Sequence, residues 1–183
     1  IAQAGGQLPN FIFGMAIASV GSAVGSVGRL LPKGVLSMSC PAAGGMAGAG
    51  GAGSGIAAAL ILAGLASMDI YDPDQEKTKR LEEALGITRL AEPPGEFAGY
   101  DLLINATPLG LKEDDPLPFD PATAGPSAFL GDVIAEPERT RLRAAAAERG
   151  LGTIGGMDML KGQIDALYRG VVKAVQDNLQ GGR

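Results

Sequence analysis

The 183-residue chain has no histidine, no tryptophan and a single cysteine, Cys40. Without histidine it cannot supply a Ser-His-Asp triad or a histidine-ligated metal site, so proton transfer falls to Lys, Asp, Glu or Tyr. One cysteine excludes an intrachain disulfide and a multi-cysteine zinc site, and it reads as an inert or buried thiol. No metal site is expected. Aromatic residues make up 4 %, too few for the stacking platforms that hold single-stranded nucleic acid. A basic excess is missing as well: the net charge is −5 and the pI is near 4.7. Nucleic acid is therefore not an expected partner.

Charge is also absent from residues 1–28. That stretch has no basic start, as a secretory signal requires. Its apolar run from Phe11 is diluted by Gly14, Ser19, Gly21, Ser22, Gly25 and Ser26, which weakens a membrane-span reading. A buried helix or an atypical N-terminal region is the expectation, with no membrane partner and a cytoplasmic location.

Glycine, by contrast, is plentiful: 29 residues, with much of the excess before residue 56. From residue 48 onward the text becomes regular. Gly48-Ala49-Gly50-Gly51-Ala52-Gly53 opens a helix whose apolar residues Ile56, Ala59, Leu60 and Ala63 recur at helical spacing before Gly64. Met68–Asp72 reads as a strand closed by Pro73. A charged helix follows from about Asp74 to Leu85, and Gly86 stops it. Ile87–Ala91 is a weak strand. Asp101–Asn105 and Phe129–Ile134 are apolar runs of the buried, parallel kind. Pro137 is expected in the first turn of a helix ending at Gly150. Thr153-Ile154 is a brief strand, and a last helix begins near Met157. This alternation predicts an α/β fold: a Rossmann-type doubly wound parallel sheet with helices on both faces. The expected domain division is 1–45, an atypical N-terminal segment (a remnant of a substrate domain, or a linker), and 46–183, the dinucleotide-binding domain with its C-terminal helix. The text before the glycine loop, Ala42–Ala47, is poor material for a central strand, which should be rich in Val, Ile or Leu.

Gly48-x-Gly50-x-x-Gly53 matches the dinucleotide fingerprint. The first glycine allows a tight turn, the second lets main chain approach a pyrophosphate, and the third lets helix and strand pack closely. Asp72 follows Gly53 by 19 residues, at the end of the next strand. A carboxylate there can accept from the adenosine ribose hydroxyls and would repel a 2′-phosphate, which favours NAD and makes NADP the weaker expectation. The other reading is that Asp72 only caps the helix that follows, since Asp-Pro-Asp is good turn and cap chemistry.

Three further segments carry a resemblance. Asn105-Ala106-Thr107-Pro108-Leu109-Gly110, Gly131-Asp132-Val133-Ile134-Ala135-Glu136-Pro137-Glu138-x-Thr140 and Gly156-Met157-Asp158-Met159-Leu160-x-x-Gln163 resemble, in order and spacing, motifs of the shikimate dehydrogenase family. The resemblance covers about residues 46–172. It implies that Gly50, Gly51, Ala52 and Gly53 meet the pyrophosphate, and that Asn105, Ala106, Thr107 and Pro108 line the nicotinamide side. It also implies that Gly156 and Met159 lie against the nicotinamide ring, and that Gln163 reaches a substrate hydroxyl or carboxylate. Met159 as core filler and Gln163 as a solvated helix residue are the plainer readings.

The implied activity is an oxidoreductase moving hydride between NAD(P) and a shikimate- or quinate-type alicyclic hydroxy acid, a small-molecule substrate. Family members include monomers and dimers, so a homodimer is compatible. Alternatives are a catalytically incomplete dinucleotide-binding module, a superfamily dehydrogenase with another substrate such as an amino acid or folate derivative, and a methyltransferase using a similar glycine loop. The family's N-terminal domain supplies a Lys and an Asp for the hydroxyl proton, and its motifs are absent here. Pro32-Lys33 is a faint echo, Lys33 is the only lysine before residue 77, and no Asp or Glu precedes Asp69. The catalytic residues are therefore unassigned.

Overall fold

The computed structural model describes residues 42–161 together with Ile164, Tyr168, Val172 and Gln176. Lys33, Cys40 and Gln163 lie outside the described residues. The elements in chain order are β1 (Ala43–Ala47), α1 (Gly51–Leu62), β2 (Ser67–Tyr71), α2 (Gln75–Leu85), β3 (Thr88–Leu90), β4 (Leu102–Asn105), a 3₁₀ turn (Pro121–Thr123), β5 (Phe129–Asp132), α3 (Arg141–Glu148) and β6 (Gly152–Ile154). A further helix, α4, starts at residue 156. The six strands form one sheet in the order β3-β2-β1-β4-β5-β6, and every pairing is parallel. This is the doubly wound Rossmann arrangement. The chain winds outward from β1 to β3, then crosses back to place β4 beside β1, and that reversal opens a crevice at the strands' carboxyl ends.

Alternation along each strand sends side chains to two separate cores. On one face Met68 and Ile70 of β2 and Leu102 and Ile104 of β4 pack with Ala57 and Leu60 of α1, with Leu81 and Leu85 of α2 against them. On the other, Ala47, Leu103 and Leu130 pack with Leu142 and Ala146 of α3 and with Phe97 and Phe119. Leu60, Met68, Ile70, Leu103, Leu130 and Leu142 are essentially fully buried. Each is worth roughly 1.5–3 kcal/mol relative to exposure.

The weak-looking text Ala43–Ala47 is nonetheless the central strand, paired with both β2 and β4. Its neighbours explain its composition. A Cβ at Gly44 would stand 2.9 Å from Leu65 Cδ2 and 3.3 Å from Met68 Cε. A Cβ at Gly45 would stand 3.3 Å from both Leu103 and the Tyr100 ring. Large side chains from adjoining elements already fill both faces of β1. The strand starts at Ala43, before the boundary expected at residue 46.

Helix ends follow local chemistry. The Asp74 carboxylate accepts from Glu76 N–H at the start of α2, and Gly86 closes it with φ +68. α3 differs from expectation. It begins at Arg141, not near Pro137, because the Thr140 hydroxyl accepts from Arg143 N–H and caps the helix there. Among the described residues no helix is long and apolar enough to cross a membrane, and no group of His, Cys, Asp or Glu is placed to hold a metal.

Candidate functional site: the carboxyl edge between β1 and β4

The loop after β1 is tied down before it reaches α1. Gly48 N–H donates to the Tyr71 carbonyl at 2.8 Å, and Ala49 N–H donates to Asp72 Oδ2 at 2.8 Å. Gly48 has φ +99, and a Cβ there would sit 2.6 Å from the Ala106 carbonyl oxygen. A Cβ at Gly53 would overlap the Gly48 carbonyl and crowd Ala106 Cβ at 3.3 Å. These two glycines are therefore demanded by the close approach of α1, β1 and the loop after β4. At Gly50 and Gly51 a Cβ would meet nothing within 4 Å among the described residues. The loop is thus closed underneath and open above.

α1 begins with Gly50 as its cap residue, with no side-chain capping bond and no acidic residue in the first turn. Its first intrahelical bond runs from Ser54 N–H to the Gly50 carbonyl. The N–H groups of Gly51, Ala52 and Gly53 precede that bond, and Gly51 and Ala52 are exposed. Bare N–H groups, the positive end of a helix dipole and open space above two glycines make a cradle that fits a phosphate-type anion.

Asp72 is 9 % exposed. Besides holding Ala49, it accepts from Asp74 N–H through Oδ1 at 2.9 Å. The helix cap expected of Asp72 falls instead to Asp74, two residues on. Asp72 organises the turn into α2 and also fixes the glycine loop. A carboxylate has about four acceptor positions, and two are filled here, which leaves capacity for a hydroxyl donor.

Across the crevice, Asn105 pairs in register with Ala47 of β1 and Asp132 of β5. The Asn105 side chain has no solvent exposure. Its Nδ2 donates to Asp132 Oδ1 (3.0 Å) and to the Leu109 carbonyl (3.1 Å). Its Oδ1 accepts from Thr107 N–H (3.0 Å) and from the Thr107 hydroxyl (2.7 Å). Asn105 therefore shapes the loop from below, and the more open Ala106, Thr107 and Pro108 form its upper surface. Asp132, also unexposed, accepts from Asn105, from Ile134 N–H at 3.2 Å and from the Thr140 hydroxyl at 2.6 Å. A buried carboxylate holding three donors in this way fixes the geometry of the loops around it. Asp132 and Thr140 stood in the sequence motifs without a role. Their burial and mutual bond give them one.

Gly156 donates to the Ile134 carbonyl at 3.1 Å, and a Cβ there would overlap the Val133 carbonyl. The start of α4 is thus pressed against the loop after β5, with Met159 half-buried one turn on. The structure brings Gly48–Gly53, Asp72 and Asn105–Pro108 together at the crevice and places Gly156 and Met159 by the loop after β5.

A separate groove on the sheet face away from α1 and α2 is lined by Ala47, Asp69, Tyr71, Leu90, Phe97 and Phe119, among others. None of the expected site residues lines it. Nearby, the Tyr100 hydroxyl donates to Asp69 Oδ2 at 2.7 Å. Burial, then that bond and the Asp69 charge, push the Tyr100 phenol up to about 12.

No family model matches the chain. It is 34 % identical over 145 residues to the shikimate dehydrogenase (NADP(+)) of Rhodospirillum rubrum, covering 73 % of this chain and 51 % of that protein. It is 37 % identical over 137 residues to the shikimate dehydrogenase (NADP(+)) of Rubrobacter xylanophilus, covering 69 % and 45 %. Its fold is similar to that of quinate dehydrogenase from Corynebacterium glutamicum in complex with NAD, with a TM-score of 0.65 and 28 % identity over 79 % of this chain and 55 % of that one. The chain spans about half the length of the curated relatives it matches.

Proposed function

Because the chain belongs to the shikimate dehydrogenase family, we propose that its crevice binds a nicotinamide dinucleotide for hydride exchange with a shikimate- or quinate-type hydroxy acid. The observation that carries this reading is the glycine loop, closed beneath by Gly48 and Gly53 and open above at Gly50 and Gly51, before an uncapped helix. When bound, the cofactor would supply the hydride-accepting or hydride-donating ring. The chain's part is to hold it. Gly51, Ala52 and Gly53 offer N–H groups to the pyrophosphate. Asp72 offers its unfilled acceptor positions to the ribose. Ala106, Thr107, Pro108, Gly156 and Met159 bound the space for the nicotinamide, and Asn105 and Asp132 hold that boundary in shape.

The Asp72 charge supports NAD, since a 2′-phosphate beside it would be repelled. The names of the curated relatives carry NADP(+), which favours the other dinucleotide. Titration of the purified protein with NADH and NADPH, followed by nicotinamide fluorescence, separates the two. Tighter binding of NADH is the expected result. Binding of neither would sink the dinucleotide reading. Turnover with shikimate and quinate then separates a dehydrogenase from a module that binds cofactor without reducing it.

A further inference from the structure

Arg143 lies in the first turn of α3, beside the fully buried Leu142. An arginine there would ordinarily run its stem over the surface and hold its head in water. This one folds back. Its Nη1 donates to the Glu138 carbonyl, and its guanidinium occupies the place where a side chain at Gly155 would start. Its Nε is buried without a hydrogen-bond partner among the described residues. An orphaned buried donor costs stability, and native folds keep few of them. The guanidinium is held where it is despite that cost.

Its position links two segments of the site. Glu138 lies in the loop between β5 and α3, and Gly155, against which the guanidinium packs, immediately precedes α4. Gly156 next to it donates to Ile134 of the same loop and has no room for a side chain against Val133. Met159 N–H bonds the Gly155 carbonyl at 3.2 Å, so it moves with Gly155. We propose that Arg143 is a positioning residue: its guanidinium clamps the β5–α3 loop to the start of α4 and thereby sets where Gly156 and Met159 stand at the crevice. This inference rests on the dinucleotide reading and adds to it a residue that touches no cofactor itself. The glycine loop and Asp72 are held by bonds that do not involve Arg143. The clamp should therefore matter for the nicotinamide end alone.

The test compares the full chain with Arg143→Leu and Arg143→Lys, titrated with the preferred reduced dinucleotide and with the matching ADP-ribose, which lacks nicotinamide. Arg143→Leu should weaken dinucleotide binding about tenfold, the scale of one lost charge-assisted hydrogen bond. It should leave ADP-ribose within about twofold. Arg143→Lys, which keeps a donor for Glu138, should recover part of the loss. Unchanged dinucleotide affinity in Arg143→Leu would overturn the clamp. So would a parallel loss of ADP-ribose, which would mean general loosening. Wild-type protein that binds neither ligand overturns the dinucleotide reading and the clamp with it. Wild-type protein that binds both, with the leucine variant alike, overturns the clamp alone.

Discussion

At the β1–β2 side of the crevice the surface is made by main chain. Gly48 and Ala49 are hung from Tyr71 and Asp72, two glycines are forced by close approach, and two more leave the surface bare. At the β4–β5 side it is made by side chains, with buried Asn105, Asp132 and Thr140 and half-buried Thr107 joined in one network. The two sides therefore offer a ligand different surfaces. An anion is best held by unencumbered N–H groups, which side chains would cover. A flat ring is best met by walls of fixed shape, which a hydrogen-bonded side-chain network can supply.

Three substitutions test that contrast, in decreasing order of effect. Asp132→Ala leaves Asn105, Ile134 N–H and the Thr140 hydroxyl without their acceptor. It should cost about 3 kcal/mol in thermal or denaturant unfolding. A loss under about 1 kcal/mol would mean that the network does not hold the β4–β5 side together. Gly53→Ala drives a methyl group into the Gly48 carbonyl. It should cost about 2 kcal/mol and weaken dinucleotide binding at least tenfold. Unchanged affinity would show that the main-chain side tolerates a side chain after all.

Tyr100→Phe, remote from both sides, should cost about 1 kcal/mol at neutral pH with no change in cofactor affinity. It carries a pH signature as well. The Tyr100 phenol is raised from 10.0 to about 12, so the fold favours its neutral form. That contribution is complete below pH 10 and is lost as pH rises through 12. Denaturation followed across that window should show a fall in the wild type that Tyr100→Phe lacks. Parallel curves would remove the Tyr100–Asp69 bond as its cause.

Most of the fold could be read from sequence because its signals are local. Gly86 ends α2 through its own backbone, and the runs at Leu102 and Phe129 are buried on both faces as a central parallel strand requires. What escaped depends on residues distant in the chain. β1 looked unlike a strand because Leu65, Met68, Tyr100 and Leu103 supply its bulk. The start of α3 was misplaced because proline is a common first-turn residue, whereas the cap is Thr140, held by Asp132. In the site, Asn105 was expected to line the crevice. Its burial beneath the loop depends on its register with Asp132, and sequence spacing carries no information about register.

Gly44 and Gly45 have a consequence for how this sequence can change. The space beside them belongs to Leu65, Met68, Tyr100 and Leu103, so volume is conserved between elements and not within the strand. A larger residue on β1 obliges one of those neighbours to shift or to shrink. A smaller neighbour leaves a hollow until β1 grows to fill it. Changes on β1 and at those neighbours are thus coupled, and each position's tolerance is written in the identity of another.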